Sequence, residues 1–376
     1  MSGQPLFSQL YHPDQMERAR QSFVSALKAQ VNGPLEQRLG EHYESEVKPR
    51  LAGEGSEPQD RDTGAAALTD EPLYQMWQSL TYTSQDLMWE TVGDTVDRVL
   101  TAMEARGAAI SESEQLGSLA LDPQLALPEP IASTEIHRQP GGYFLGQQDA
   151  DLTAAALYAG TLVLYTAAKG FVSGGDTFAS LGQGVARMVE PHLGGAKPAR
   201  ILDMGCGPGT ITLGLKQHFP EAEVYGVDLS ASFVRFAHLW AEDAGQAIAY
   251  RQGDAAQTGL EAGSFDLIVS QIMFHETWHD KAPEIFAEAY RLLRPGGLML
   301  NIDVPYQPDR LSIPQQVTNH WQVKNNGEPF WTGFADSSVR DLMSQAGVPE
   351  GEQFADYVPV GPAREYLVFG IRRSGA

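Results

Sequence analysis

The chain has 376 residues, enough for two domains with separate cores, and carries 48 acidic against 26 basic residues, a formal charge of −22. That excess repels polyanions on average, so no nucleic acid and no anionic membrane is expected as a partner. A single cysteine, Cys206, excludes an intrachain disulfide and any multi-thiolate metal site.

The N-terminal residues lack a basic start followed by an apolar run, so no secretory signal is expected and the protein is placed in the cytoplasm. The first 135 residues carry helical periodicity near His12 to Val31, Pro34 to Leu51 and Asp70 to Gly107, which predicts a mainly helical N-terminal domain over 1–135. Between these segments Gly53 to Asp70 is polar, acidic and glycine-containing, the composition of a loop. In the third segment Trp77, Met88, Trp89, Val92, Val96 and Val99 recur at helical spacing, which suits a core or a subunit interface. Ser111 to Thr134, with three prolines, reads as an extended connector between the halves.

A Pro-Gly-Gly turn then sets His137, Arg138 and Tyr143 close together, and loops of that density often carry function. Leu152 to Ala168 is apolar and uncharged but falls short of the roughly 20 residues of a membrane span, so it reads as a buried helix.

The most telling segment is Ile201 to Thr210, ILDMGCGPGT: an apolar strand running into a glycine-rich turn and a helix. Gly205, Gly207 and Gly209 let the backbone turn sharply and approach a ligand without a Cβ in the way. A dinucleotide fingerprint would place its third glycine one residue later, where Thr210 stands, so NAD is the second choice. A second strand, Glu223 to Leu229, ends in Asp228, placed to accept from both hydroxyls of a ribose. A third strand-like run, Ala247 to Gln252, ends in Gly253-Asp254-Ala255, and a fourth, Phe265 to Ile272, emerges at Met273-Phe274-His275-Glu276. Tyr290 to Gly297 then leads into a fifth strand, Leu298 to Val304.

Through D-x-G-C-G-P-G, V-D-L-S, G-D-A and L-R-P-G-G, in that order, the chain resembles the class I S-adenosylmethionine-dependent methyltransferases. The resemblance implies an α/β fold with a Rossmann-like sheet, helices on both faces and a last strand inserted antiparallel, over 136–376. It implies S-adenosyl-L-methionine as cofactor. Gly205, Gly207 and Gly209 would hold the methionine moiety, with Asp203 supporting the turn and the amino group. Asp228 and Leu229 would take the ribose, Asp254 and Ala255 the adenine, and Gln271 would stand near the methyl group. It also implies that the N-terminal half is a cover for substrate and the contact of a homodimer.

Position after the fourth strand makes His275 the candidate general base, since an imidazole with its ordinary pKa near 6.5 accepts a proton at neutral pH. Glu276 and Tyr143 are grouped with it as catalytic candidates. His137, Arg138 and His279 are candidate substrate contacts, as are Trp321, Asn326 and Trp331 from a segment at 305–336 too long for a simple turn and read as a substrate lid. His275-Glu276-Thr277-Trp278-His279 spells the zinc-protease pattern H-E-x-x-H, but that chemistry needs the motif inside a helix, and no metal is expected. With Arg138, Lys324 and Arg364 as scattered cations, the expected acceptor is a small organic molecule methylated on oxygen. S-methylation of a thioether acid, N-methylation of an amine and a non-catalytic cofactor-binding scaffold stand as alternatives.

Overall fold

The computed structural model describes residues 10–129, 131–145, 150–168, 177–304, 308–361 and 364–375. Helix α1 (Gln15–Gln30) begins with a reciprocal cap: the Asp14 carboxylate accepts the Glu17 N–H while the Glu17 carboxylate accepts the Asp14 N–H. The chain stays helical through Pro34, where the sequence reading places a break. The turn Val31–Leu35 is a π turn, and a second one, Tyr43–Val47, separates α2 (Glu36–His42) from α3 (Lys48–Gly53). The wider turn absorbs the ring and missing N–H of the proline, so the helix continues instead of ending.

The expected loop from Gly53 to Asp70 contains a helix, α4 (Arg61–Leu68), which Asp60 and Thr63 start with another reciprocal cap. Helix α5 (Pro72–Ser111) runs for 40 residues. The connector after it is not merely extended: Ser118–Ala120 forms β1 at the edge of the sheet.

After α6 (Thr153–Ala168) and α7 (Thr177–Val189) come alternating strands and helices: β2 (Arg200–Met204), α8 (Thr210–His218), β3 (Glu223–Asp228), α9 (Ala231–Asp243) and β4 (Ala249–Gln252). β5 (Phe265–Gln271), α10 (Ala282–Leu292) and β6 (Leu293–Asp303) continue the pattern. The segment read as a lid folds into α11 (Ile313–Asn325) and α12 (Trp331–Ala335), and α13 (Val339–Gln345), β7 (Gln353–Gly361) and β8 (Arg364–Arg372) complete the chain. The sheet order is β1-β4-β3-β2-β5-β6-β8-β7, parallel from β1 through β6, with β8 antiparallel to both neighbours. The order reverses between β2 and β5, which opens a crevice at their carboxyl ends.

Successive strand residues face opposite layers, as a period of two requires. Ile201, Leu267, Val269 and Leu300 pack on one face with α7, α8 and α9, while Leu202, Ile268 and Met299 pack on the other with α10 and α13. The first face carries a third layer: Met88, Val92, Val96 and Met103 of α5 join the same core, and Gly107 brings α5 against Leu239 of α9. A separate core of Val31, Leu39, Tyr43, Leu68, Tyr74, Trp77 and Val317 ties α1–α5 to α11, with the Trp77 and Trp321 rings 5.2 Å apart. Trp77 is fully buried there. Replacing it with Ala should cost about 3–5 kcal/mol, read as a lowered urea midpoint, because truncating a large buried ring leaves a cavity.

Candidate active site

The crevice, about 910 Å³ of empty space with its open mouth included, is built from residues at or just past the end of each central strand: Gly205 and Gly207 after β2, Asp228 ending β3 and Leu229 after it, Asp254 and Ala255 after β4, Gln271 ending β5 with Met273 and Glu276 after it. Gly205 has φ +69°, a backbone conformation that side chains rarely adopt, and a Cβ there would crowd Met273 Sδ at 2.6 Å. The Gly207 N–H donates to Asp228 Oδ2 and the Ser230 N–H to Oδ1, both at 2.9 Å. Asp228 therefore ties the turn after β2 to the end of β3 while facing the crevice. Burial raises its pKa to about 6, against the pull of those two amides.

Two of the residues read as cofactor contacts, Gly209 and Asp203, do not line the crevice. Gly209 caps α8 and packs against Ala237 and Tyr250. Asp203 is buried beneath the turn, where it accepts the Thr212 hydroxyl at 2.6 Å. Asp254 faces the crevice but is paired with Lys281 at 3.3 Å. Cys206 packs against Gly226, and burial raises its thiol pKa, which leaves it unreactive.

At the far wall, beyond Ile272 with a strained φ of +56°, three side chains converge on the Glu276 carboxylate. His137 Nε2 lies 2.5 Å and His275 Nε2 3.4 Å from Glu276 Oε1, and the Tyr143 hydroxyl donates to the same oxygen at 3.4 Å. His137 Nδ1 forms an ion pair with Glu328 at 2.6 Å, and His275 Nδ1 lies 2.6 Å from Asp303 at the end of β6. Burial alone would lower the His275 pKa, but Asp303 and Glu276 overcome it and hold it at about 10. His137 is likewise raised by its two carboxylates against burial, and Glu276 is held well below the usual carboxylate range by the two imidazoles against burial. The sequence reading of His275 as a neutral base is therefore corrected: both of its nitrogens are engaged, it is buried, and it keeps its proton at neutral pH.

The remaining sequence candidates separate. Trp331 stands by His275, with ring centroids 5.8 Å apart. Asn326 is buried beside Gln322. Arg138 pairs with Asp86 and lies over the Tyr82 ring, Trp321 belongs to the core under α11, and His279 is half exposed next to Asp280. None of these last three lines the crevice. The Arg364 side chain lies outside the described residues. Sequence reasoning missed Asp303, although its place at the end of a parallel strand marks it. It also passed over Ile131 and Ile136, which form an apolar wall of the crevice.

A methyltransferase-domain family model matches residues 201–297. The chain is 36% identical over 156 residues to trans-aconitate 2-methyltransferase of Deinococcus radiodurans, covering 41% of this chain and 57% of that one. It is 30% identical over 188 residues to malonyl-[acyl-carrier protein] O-methyltransferase of Geobacter sulfurreducens, covering 48% and 68%. The chain belongs to the class I S-adenosylmethionine-dependent methyltransferases. It spans little more than half the length of the first of these relatives. Among solved structures it is similar to phosphoethanolamine N-methyltransferase 2 of Haemonchus contortus in complex with S-adenosyl-L-methionine, at 16% identity, TM-score 0.41, and 51% and 52% coverage.

The carboxyl beneath the glycine-rich turn carries a stability signature. Burial raises the Asp203 pKa from 3.8 to about 7, against the pull of the Thr212 hydroxyl. A raised carboxyl favours folding while protonated, so its contribution is full below about pH 4 and is lost as pH rises through about 7. Asp203→Asn should flatten that part of the melting-temperature profile between pH 4 and 8 and melt higher than the parent at pH 8. An unchanged profile would show that Asp203 does not titrate there.

Proposed function

We propose that the chain transfers the methyl group of S-adenosyl-L-methionine to an oxygen of a small organic acceptor in the cytoplasm. The observation that carries this reading is the division of one crevice into two chemistries: strand-end turns and Asp228 on one side, Tyr143 and Glu276 on the other. The cofactor lies along Gly205 and Gly207 with its ribose on Asp228, and the acceptor sits against Glu276. Relatives named for trans-aconitate and for O-methylation of a malonyl group support an oxygen acceptor, although one is named for a tRNA cytidine. The charge of −22 weighs against RNA here. No described helix is long and apolar enough to cross a membrane. Exposed Met16 and Phe23 on α1 offer a face for a homodimer.

The sulfonium is already a strong electrophile, so the protein mainly aligns the acceptor oxygen with the methyl group. A hydroxyl becomes strongly acidic only as its oxygen takes the methyl group. A carboxylate of low pKa such as Glu276 can therefore receive the proton late, and the imidazoliums keep that carboxylate charged and in place. Methyl transfer to a panel of small hydroxylated and carboxylated acceptors, read as S-adenosylhomocysteine released, tests the reading. Glu276→Gln should lower kcat by about 10²–10⁴ with cofactor binding intact. Full activity in that variant would remove Glu276 from the chemistry.

The ribose placement has its own signature. Calorimetric titration of S-adenosylhomocysteine should show affinity falling towards tenfold per unit below about pH 6, as Asp228 takes up a proton and stops accepting. Asp228→Ala should lose about tenfold or more at pH 8, the worth of a charged hydrogen bond. Wild-type affinity in Asp228→Ala would place the ribose elsewhere.

A further inference from the structure

The fold takes apart the one familiar metal pattern in the sequence and assembles another. His279 turns out to solvent, whereas His275 and Glu276 meet His137 from the loop before α6 and Glu328 from the turn after α11. One donor atom from each of these four residues lies within 4.8 Å of the others. We propose that His137, His275 and Glu276 bind a divalent transition-metal ion at the wall of the crevice, with Asp303 and Glu328 as the outer carboxylates that orient the two imidazoles.

Each imidazole presents Nε2 to Glu276 and has a carboxylate 2.6 Å from Nδ1, and the ion would take the place of the Nε2 proton that each ring carries in the metal-free site, releasing it to solvent. This is the arrangement in which an outer carboxylate fixes the tautomer of a metal-binding histidine and makes its other nitrogen a better donor. Asp303 is itself fixed, accepting the Phe274 and Val304 N–H groups at 3.0 and 2.7 Å. Bonds of about 2.0–2.1 Å to a tetrahedral ion set neighbouring donors about 3.4 Å apart. The His275–Glu276 pair already has that separation, at 3.4 Å, and the His137–Glu276 pair, at 2.5 Å, would open by about 0.9 Å to reach it. Mixed imidazole and carboxylate donors suit zinc, iron or cobalt better than magnesium or calcium.

Two further observations favour a ligand. Glu328 Oε2 is buried without a hydrogen-bond partner, a costly state for a carboxylate oxygen and a ready acceptor for a metal-bound water. His137 and Arg138 both have left-handed backbones, φ +55° and +59°. The fold enforces this: Gln85 and Trp89 of α5 each donate to the His137 carbonyl at 2.8 Å, and the His137 N–H donates to the Gly327 carbonyl at 2.6 Å. Strain held this firmly presents one imidazole to one carboxylate. Three protein ligands leave a position open beside Tyr143, suited to an acceptor oxygen from a hydroxyl or carboxylate. The metal site stands without the methyl-transfer reading, and only this last assignment rests on it.

The test uses the full chain, stripped with chelator and dialysed against micromolar Zn²⁺ or Co²⁺, with metal content and the visible spectrum of the cobalt form as readouts. One ion per chain is expected, with binding abolished in His137→Gln and Glu276→Gln, weakened about 10–100-fold in Glu328→Gln and unchanged in His279→Gln. Retained S-adenosylhomocysteine binding certifies that the variants fold. Metal-free wild type, or binding kept by His137→Gln or lost in His279→Gln, overturns the site. Metal binding without S-adenosylhomocysteine binding would sink the methyl-transfer reading and leave the metal site standing.

Discussion

The wall of the crevice is organised around one constraint: the Glu276 carboxylate is largely withdrawn from water, with 13% of its side chain exposed, and a charge so placed is costly unless it is paired and hydrogen-bonded. Two imidazoles meet that need, and each brings its own requirement. His275 comes from the turn after β5 and is held by Asp303 at the neighbouring strand end. His137 comes from a loop that could not hold a left-handed backbone by itself, and α5 supplies the two donors that pin it. The same helix packs on α9 further along. The helical layer is thus a structural member of the site, coupling the core over the sheet to the position of one imidazole.

What the sequence revealed was what local physics encodes. The central strands β2, β3, β4 and β5 end at or just before Gly205, Asp228, Gly253 and Gln271, and β2, β3 and β5 are largely apolar, so the sheet, its order of elements and the residues at its carboxyl ends could be read in line. Strand β1 could not, because three residues in a proline-rich connector become a strand only when β4 offers its edge. Helix continuity through Pro34 escaped for a similar reason, since π turns that tolerate a proline leave no mark in apolar spacing. Leu152 to Ala168 is a helix as its apolar run suggests, because composition and length were both informative there.

The cluster around Glu276 lay beyond such reading. His137, His275 and Glu328 belong to three segments far apart in sequence, and only the convergence of loop, strand end and lid sets them within ion-pair distance. His275 looked like a base because its type and position suit one. Its protonation is decided by Asp303 and Glu276, and the first of those neighbours arrives from another strand.

The two sides of the crevice are encoded differently, and this bears on how acceptors diversify. The side proposed for the cofactor is made of strand ends and turns at β2, β3 and β4, all within the matched stretch 201–297. His137, Asp303 and Glu328, which fix the opposite wall, lie outside it. A chain can therefore keep the strand-end turns that suit one cofactor while the loop before α6 and the segment after β6 vary the wall that meets the acceptor. The chemistry peculiar to this protein then has to be sought where the match ends, in the histidine and glutamate that the helical layer and the lid bring to Glu276.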